Sequence, residues 1–382
     1  MKIGIITICK VNNYGAELQA FATQKKLEFM GYDAEIIDYT YYKNWFFKDS
    51  QKSKPFIEMS INGHILYWIK YRLINYFVDK ILPIFNNKLR SRKKNYNDFF
   101  ELEKFSKPFH SIDLLFSKCP IYDVYIVGSD QVWNPAASSS IEPYFLTFAP
   151  QNSKKIAFAS SFGVSLIDKK LESKYKKLLD NINYISVREE SGVKLVNDIS
   201  GKDAKLVLDP TLLINKEEWY NYMRPINKIS SNFILVYELL PSVPLINYAK
   251  ELGEKLNLPI YCICKRGYLV KRHEGMFNVE EAGPSEFLWL IANASCVITN
   301  SFHGTAFSVN FETPFYCVLN KSRKNNSRMI SLLSKLDLLD RIVYENDIRN
   351  CKIEIPQKPI RNGKLRELIL ESEKFLADSI NS

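Results

Sequence analysis

The sequence predicts an α/β protein with parallel sheets in two domains, on three observations. Short apolar runs alternate with segments of helical spacing, and polar or glycine residues follow each apolar run directly. The chain has 382 residues, of which 46% are hydrophobic and 25% charged, which suits about two globular domains. Because no internal repeat of fixed period interrupts the alternation, a doubly wound parallel sheet is the expected architecture.

The first unit is a βαβ start. Residues 3–8 form a continuous apolar run, as expected for a buried strand, and residues 12–15 follow as a loop. Residues 16–30 have helical spacing that ends at Gly31, and the next strand spans 34–38. Since the loop carries only one glycine, Gly15, it lacks the dinucleotide-binding fingerprint, which argues against NAD.

Residues 41–118 resemble an insertion rich in aromatic and basic side chains, with helices predicted around 65–82 and 97–105. Residues 61–100 hold eight Lys and Arg against two Asp, which is +6 of the chain's net charge of +10. The basic aromatic segment 61–94 is compatible with an anionic membrane surface or with a helical subdomain that has a solvated basic side. No feature of the predicted fold supports nucleic-acid binding.

The alternation of strands and helices then resumes on both sides of a boundary near 211–231. Strands of the N-terminal domain, residues 1–215, are predicted at 123–127, 156–159, 184–187 and 206–208, with a helix at 169–180. The C-terminal domain, residues 230–360, has predicted strands at 233–237, 259–264, 296–298 and 314–319 and helices at 244–256, 285–293 and 304–311. A C-terminal helix, 364–380, occupies the last segment, 361–382.

The cysteines and the apolar runs predict a cytoplasmic protein. The seven cysteines are odd in number and most lie in apolar runs, which indicates free thiols in a reducing compartment. Neither a signal peptide nor an apolar run of about 18 residues is present. Cys262 and Cys264 share one face of a strand, but no second pair with zinc-site spacing accompanies them.

The segment 296–308 is the most informative stretch. A strand ends in polar residues and turns directly into a helix, which places side chains at the carboxyl edge of a sheet together with the N–H groups of a helix start. His303 lies in that turn and is one of only four histidines. A buried core histidine is the alternative, but the polar neighbours Asn300, Ser301 and Thr305 favour a functional role.

Other strand ends carry candidate binding residues. After the strand at 123–127, Asp130, Gln131 and Asn134 can bond sugar hydroxyls and Trp133 can stack on a sugar face. A capped strand-to-helix turn is the alternative. Arg188 suits a carboxylate or phosphate, unless it pairs with Glu189 or Glu190 at the surface. The loop 12–15 either closes over a ligand or is an ordinary connection.

Five stretches together resemble the polysaccharide pyruvyl transferase family: NNYGA at 12–16, VGSDQVWNP at 127–135, SVRE at 186–189, LDPT at 208–211 and TNSFHG at 299–304. The resemblance runs from the first strand to about residue 345. It implies two Rossmann-like domains that face each other across a cleft, as in GT-B glycosyltransferases. It also implies transfer of a pyruvyl group from phosphoenolpyruvate onto two sugar hydroxyls, in the synthesis of capsule, exopolysaccharide or another cell-surface polymer on a lipid-linked oligosaccharide or polysaccharide acceptor.

The resemblance assigns roles to residues. His303 becomes the general acid, and Arg188 the catalytic cation, with no metal or cofactor required. Better-studied relatives have an arginine where this chain has Ser301, so a second cation must come from elsewhere, and Arg328 is favoured over Arg323 because it heads an apolar helix. The remaining assignments are Ser301, Gly304 and Thr305 for the donor and Asn13, Tyr14, Gly15, Ser129, Asp130, Trp133 and Asn134 for the acceptor.

Two other functions stay open at this point. A GT-B glycosyltransferase that uses a nucleotide sugar would grip the ribose with acidic residues, and Glu280, Glu281 and Glu286 are available. No Asp-x-Asp motif for a metal accompanies them. A saccharide-binding relative without catalysis is the third possibility, against which the polar set around His303 and Arg188 argues weakly.

Overall fold

A computed structural model describes residues 1–40, 44–48, 66, 73–135, 141–226, 229, 232–264, 273–323, 326–348, 351, 353–356, 360 and 362–382. Its strands form two six-stranded sheets, and every strand pairing within them is parallel. The prediction of two α/β domains with parallel sheets is therefore confirmed.

The first sheet has the order β2-β1-β3-β4-β5-β6. Its central strands are buried on both faces, which is why they read as unbroken apolar runs. The strand order reverses between β1 and β3, and such a switch point is where open α/β sheets bind ligands. The strands are β1 (Lys2–Ile6), β2 (Asp33–Ile36), β3 (Val124–Val127), β4 (Lys154–Ser160), β5 (Tyr184–Val187) and β6 (Lys205–Leu206).

Helices connect these strands, and each start has a local cause. The first helix is capped by Asn13, whose side chain accepts from the Gly15 N–H, and the helix at 169–180 is capped by Asp168. The helix that follows β5 was not predicted, because its apolar side chains are few and its first residues are charged. These helices are α1 (Tyr14–Phe29), α2 (Asn87–Phe100), α3 (Ile112–Ser117), α4 (Lys169–Asp180) and α5 (Glu190–Ser200).

The second sheet has the order β12-β11-β10-β7-β8-β9, with its switch point between β7 and β10. This arrangement is the Rossmann strand order, read from the opposite edge. The strands are β7 (Ile234–Glu238), β8 (Ile260–Cys264), β9 (Phe277–Asn278), β10 (Cys296–Thr299), β11 (Phe315–Leu319) and β12 (Ile342–Tyr344). The associated helices are α6 (Lys216–Tyr220) in the connection between the sheets, α7 (Val243–Leu256), α8 (Pro284–Asn293), α9 (Phe302–Asn310) and α10 (Ser327–Lys335).

The insertion between β2 and β3 contains helical turns at Ile74–Tyr76, Phe77–Ile81 and Leu82–Phe85 before α2. Much of the helix predicted at 65–82 lies outside the described residues. The helix predicted at 97–105 is wrong in its bounds: α2 begins at 87, where Asn86 caps it, and ends at Phe100. The start was missed because the basic run that opens α2 hides its buried face.

The last helix, α11 (Asn362–Asn381), returns to the first sheet instead of extending the second domain. The ring of Phe375 stacks on Phe158 of β4 at 6.4 Å, and the Leu208 N–H donates to Ser372 Oγ at 2.9 Å. Because α11 is packed against the N-terminal domain, both ends of the described chain lie in that domain. No helix among the described residues is long and apolar enough to cross a membrane.

Candidate functional site

The switch points of the two sheets meet at Gly15 and His303. Gly15 lies in the first turn of α1, after β1, and His303 lies in the first turn of α9, after β10. A Cβ atom on Gly15 would overlap the His303 ring, with Cε1 only 2.7 Å away and Nδ1 closer still. Only glycine therefore lets the imidazole pack directly on the backbone of the opposite domain, and the end of the loop 12–15 lies against His303.

His303 is held by the start of its own helix. Ser301 is the N-cap, and its side chain accepts from the Gly304 N–H at 3.4 Å. The ring is 6% exposed, and its Nε2 lies 3.7 Å from Oδ2 of Asp209, close enough for an ion pair when the ring carries two protons. Asp209 follows β6, so the histidine of one domain faces a carboxylate of the other.

Arg188 connects that carboxylate to the end of β3. Its guanidinium donates to Asp209 Oδ2 through Nη1 and to Asp130 Oδ1 through Nη2 at 2.8 Å. The arginine side chain is fully buried. Asp130 adopts a left-handed backbone conformation, φ +65°, which a non-glycine residue rarely takes without a functional or structural need.

The charges of this network are mutually compensated. Burial alone would raise the pKa of Asp209, but the Arg188 charge together with His303 and the Thr211 hydroxyl holds that pKa well below its usual range. The same balance of burial against Arg188 lowers the pKa of Asp130. Burial would lower the pKa of Arg188, yet Asp209 and Asp130 raise it. Arg188 thus positions the two carboxylates and, since it faces both of them, offers little uncompensated charge to an anion.

Arg328 is the contrasting cation. It lies in the first turn of α10 and is 5% exposed, and burial followed by the nearby Arg188 charge lowers its pKa to about 10. With the Gln131 amide oxygen turned toward it, that oxygen accepts from Nη2 at 2.6 Å and Nη1 at 3.2 Å. Within the described ranges, no carboxylate lies within ion-pair distance of Arg328, and its Nε has no acceptor. A charged guanidinium buried in this way is typical of an anion site.

Phe302 brings the two arginines to the same place. The Arg188 guanidinium carbon is 4.7 Å from the Phe302 ring centroid, and that of Arg328 is 5.5 Å away. The Phe302 ring also contacts the His303 ring edge-on, with centroids 5.2 Å apart. The predicted residues His303, Arg188 and Arg328 are therefore assembled in one cluster, together with Asp130 and Asp209.

The other donor-side predictions fall into two groups. Gly304 and Thr305 are buried within the first turn of α9, where a Cβ on Gly304 would meet the Tyr237 ring at 2.9 Å and Thr305 Oγ1 donates to the Ser301 carbonyl at 3.0 Å. Arg323, by contrast, donates to the Pro241 carbonyl at 3.4 Å in the loop after β7. Of the two arginines proposed to replace the family's arginine, Arg328 is the one in the cluster.

Three acceptor-side predictions are corrected by burial. Trp133 is 0% exposed, donates to the Tyr144 carbonyl and stacks on Phe145, so the expectation that it stacks on a sugar is wrong. Tyr14 is 1% exposed, stacks on Phe287 at 4.6 Å and donates to the Ala282 carbonyl across the domain interface. Ser129 is also buried, with its side chain donating to Ala159 and Asp209. These apolar and polar side chains complete the core behind the site.

Of the predicted acceptor-side residues, Asn13 and Asn134 are half-buried. Gln131, expected to bond sugar hydroxyls, faces Arg328 instead. Asp209 was not assigned a role from the sequence, although it lies in a quoted motif after a strand end, and that position was the available signal. Among the described residues, no group of three or more His, Cys, Asp or Glu side chains is arranged to hold a metal ion.

The chain is similar to one protein family and, in fold, to several solved structures. A family model described as "Polysaccharide pyruvyl transferase" matches residues 13–322. No curated protein matches the chain. Solved structures with a similar fold include a UDP-GlcNAc 2-epimerase from Methanocaldococcus jannaschii (12% identity, 100% of each chain, TM-score 0.48) and ADP-heptose LPS heptosyltransferase II from E. coli (13% identity, 98% of this chain and 100% of that one, TM-score 0.39).

Proposed function

This chain belongs to the polysaccharide pyruvyl transferase family, and we propose that it transfers a pyruvyl group from phosphoenolpyruvate onto two hydroxyls of a sugar. The acceptor is a lipid-linked oligosaccharide or polysaccharide of the cell surface, such as a capsule or exopolysaccharide precursor. The reaction takes place where His303, Arg328 and the Asp209–Arg188–Asp130 network meet.

The proposed chemistry begins with proton transfer from the His303 ring to C3 of the donor, which makes C2 electrophilic. One sugar hydroxyl attacks C2, and its proton restores the ring. The second hydroxyl forms the other C–O bond as the bond between C2 and the phosphate oxygen breaks. Phosphate leaves with that second proton, so a pyruvate ketal and inorganic phosphate are the products and no electrons are exchanged.

The observation that carries the proposal is the buried guanidinium of Arg328 beside Phe302 and His303, which has no carboxylate within ion-pair distance among the described residues. Phosphoenolpyruvate has a carboxylate and a phosphate, and a guanidinium binds either group through two parallel hydrogen bonds. The Nε atom of Arg328 has no acceptor among the described residues, and its two terminal nitrogens donate to the neutral amide of Gln131. A donor anion would supply the partner that the site lacks, in a water-poor environment where the interaction is strong.

Asp209 orients the acid in this proposal. Its carboxylate lies 3.7 Å from Nε2 and faces the ring, as carboxylates do beside catalytic imidazoles elsewhere. Arg188 and Ser129 hold Asp209 in turn. We therefore assign Arg188 a positioning role. The negative charge of the donor is bound mainly by Arg328 and by the N–H groups at the start of α9.

On the acceptor side, the insertion is proposed to contact an anionic membrane at the surface where a lipid-linked acceptor resides. The turns before α2 expose apolar side chains, among them Phe77 (49%), Ile84 (58%) and Phe85 (82%), close to Lys88 and Arg90. Exposed apolar side chains flanked by cations are the pattern of an interfacial anchor. Arg92 does not belong to this surface, because it is buried and donates to Tyr14 Oη at 2.8 Å.

Release of phosphate from phosphoenolpyruvate, measured with a panel of lipid-linked oligosaccharides, tests the proposal. We expect release only when an acceptor with two suitably spaced hydroxyls is present, and the product to gain a pyruvate ketal. Binding of a nucleotide sugar in place of phosphoenolpyruvate, with transfer of its glycosyl group, would instead show that the chain is a glycosyltransferase.

A further inference from the structure

A depression with a cavity volume of about 200 Å³ lies between the insertion and the loop after β1 and is separate from the His303 cluster. We name it the insertion groove and define it by Lys10, Asn12, Trp45, Lys80, Lys93 and Tyr96. This volume is below that of a typical site for a drug-sized molecule, so the groove suits a small charged group of a larger ligand. Nothing in the proposed pyruvyl transfer accounts for it.

The groove combines positive charge with aromatic surface. Four Lys and Arg side chains line it against a single carboxylate, that of Asp79. Lys80 Nζ lies 5.4 Å from the ring centroid of the half-buried Trp45, whose ring contacts Tyr76 edge-on at 5.1 Å. Lys93 is exposed, and its Nζ donates to the Asp79 carbonyl at 3.2 Å. A ligand with phosphate groups and an apolar body matches such a lining.

The groove is also tied to the reaction site. Asn12 donates to Asp79 Oδ1 at 3.0 Å and is three residues before Gly15, which packs on His303. Three residues span at most roughly 11 Å, so one wall of the groove lies within a few sugar lengths of the acid. Arg92, from α2, donates to Tyr14 Oη and forms part of the opposite wall.

We propose that the insertion groove binds the phosphate groups by which the acceptor is joined to its lipid. This inference rests on the proposed function, because it names the part of the acceptor that is held while the sugar reaches His303. The exposed apolar side chains of Phe77 and Phe85 in the helical turns next to the groove provide a surface for the hydrocarbon chain. Free sugar phosphates and free diphosphate share only the charged part of this ligand.

The test measures direct binding of farnesyl diphosphate, with farnesol, inorganic diphosphate and glucose 1-phosphate as comparison probes. Quenching of Trp45 fluorescence reports binding, and Trp45→Phe identifies the signal. We expect farnesyl diphosphate to bind at least tenfold more tightly than each of the other probes. Equal affinity for inorganic diphosphate or glucose 1-phosphate would overturn the assignment to a lipid-linked ligand.

Two charge-matched double variants test the location. Lys80→Glu with Lys93→Glu should weaken farnesyl diphosphate binding by about 100-fold, since two charged contacts are lost. Lys107→Glu with Lys118→Glu changes the same charge on exposed side chains that do not line the groove, and it should change affinity less than about threefold. Equal losses in both would show non-specific attraction and overturn the proposal, as would no loss in the first. Binding is measured without phosphoenolpyruvate, so its result does not depend on whether the protein catalyses pyruvyl transfer. Failure of this proposal can therefore be told apart from failure of the proposed function.

Discussion

Substitution of Gly15 by alanine tests the contact that joins the two domains at the site. The backbone of Gly15 is not in the left-handed region, so alanine is compatible with its conformation. The new methyl carbon would lie 2.7 Å from Cε1 of His303, where carbon atoms normally approach to about 3.5–4.0 Å. Nδ1 and Cγ of the ring would lie closer still, so the ring must move by at least about 1 Å, away from its present position beside Asp209.

Gly15→Ala is expected to lower activity much more than it lowers the free energy of unfolding. Overpacking costs about 1–3 kcal/mol, and replacing a helical glycine by alanine returns about 0.5–1 kcal/mol, so the free energy of unfolding should fall by roughly 0–2.5 kcal/mol. A 1 Å displacement of a catalytic group lowers turnover by about 10²-fold. Gly15→Ala should thus remain folded and lose phosphate release from phosphoenolpyruvate to about that extent.

Gly363 provides the matched control. It is the second residue of α11, as Gly15 is of α1, and a Cβ there would meet nothing within 4 Å. Gly363→Ala should keep full activity and gain up to about 1 kcal/mol of stability. In a double-mutant cycle, His303→Ala should relieve the stability loss of Gly15→Ala. Full activity of Gly15→Ala, or strictly additive stabilities, would refute the packing of His303 on Gly15.

Three further predictions use other parts of the chain. Arg328→Ala should raise KM for phosphoenolpyruvate by about 10- to 150-fold, from the loss of about 1.5–3 kcal/mol, whereas Arg323→Ala should not; equal kinetics for both variants would exclude Arg328 from donor binding. Burial raises the pKa of Glu17 to about 8, so the folded state keeps a proton that the unfolded state loses above about 4.3, and stability falls as pH rises between these values. Glu17→Gln should abolish this fall, at most about 1.4 kcal/mol per pH unit, in urea titrations at pH 5 and pH 8; an unchanged pH dependence would contradict it. Phe85→Asp should weaken co-sedimentation with anionic liposomes about tenfold or more, unlike Ile121→Asp at an equally exposed position; equal effects would argue against an anchor at the insertion.

The strands and the convergence of their ends were predictable because both follow from chain-local rules. A buried parallel strand is apolar along most of its length, and β5 begins and ends at the predicted residues. The helix α4 also has the predicted bounds, because its buried side chains recur at helical spacing after the cap Asp168. The carboxyl ends of parallel strands share one edge, so Asp130 and Arg188 of the first sheet were expected together. The place of His303 opposite them followed from the resemblance to a family with two domains that face each other across a cleft. The helix from 87 was missed because its buried face includes Arg92, a residue type that normally indicates solvent.

What the sequence did not predict is how each side chain is paired. Arg188 resembled a free cation at a strand end, but its two partners come from the ends of β3 and β6, at positions 130 and 209. Trp133 resembled a sugar platform because aromatic residues near polar ones often are, whereas its burial depends on the ring of Phe145 twelve residues later. Such outcomes depend on tertiary packing, which no local pattern encodes.

The role of His303 is tested most directly by acceptor-dependent phosphate release from phosphoenolpyruvate in His303→Ala. The account predicts a loss of turnover of about 10²-fold or more, with far-UV circular dichroism and thermal unfolding close to those of the unchanged protein. A well-folded His303→Ala that releases phosphate at nearly the original rate would contradict it, and His303 would then be a packing residue between the two domains.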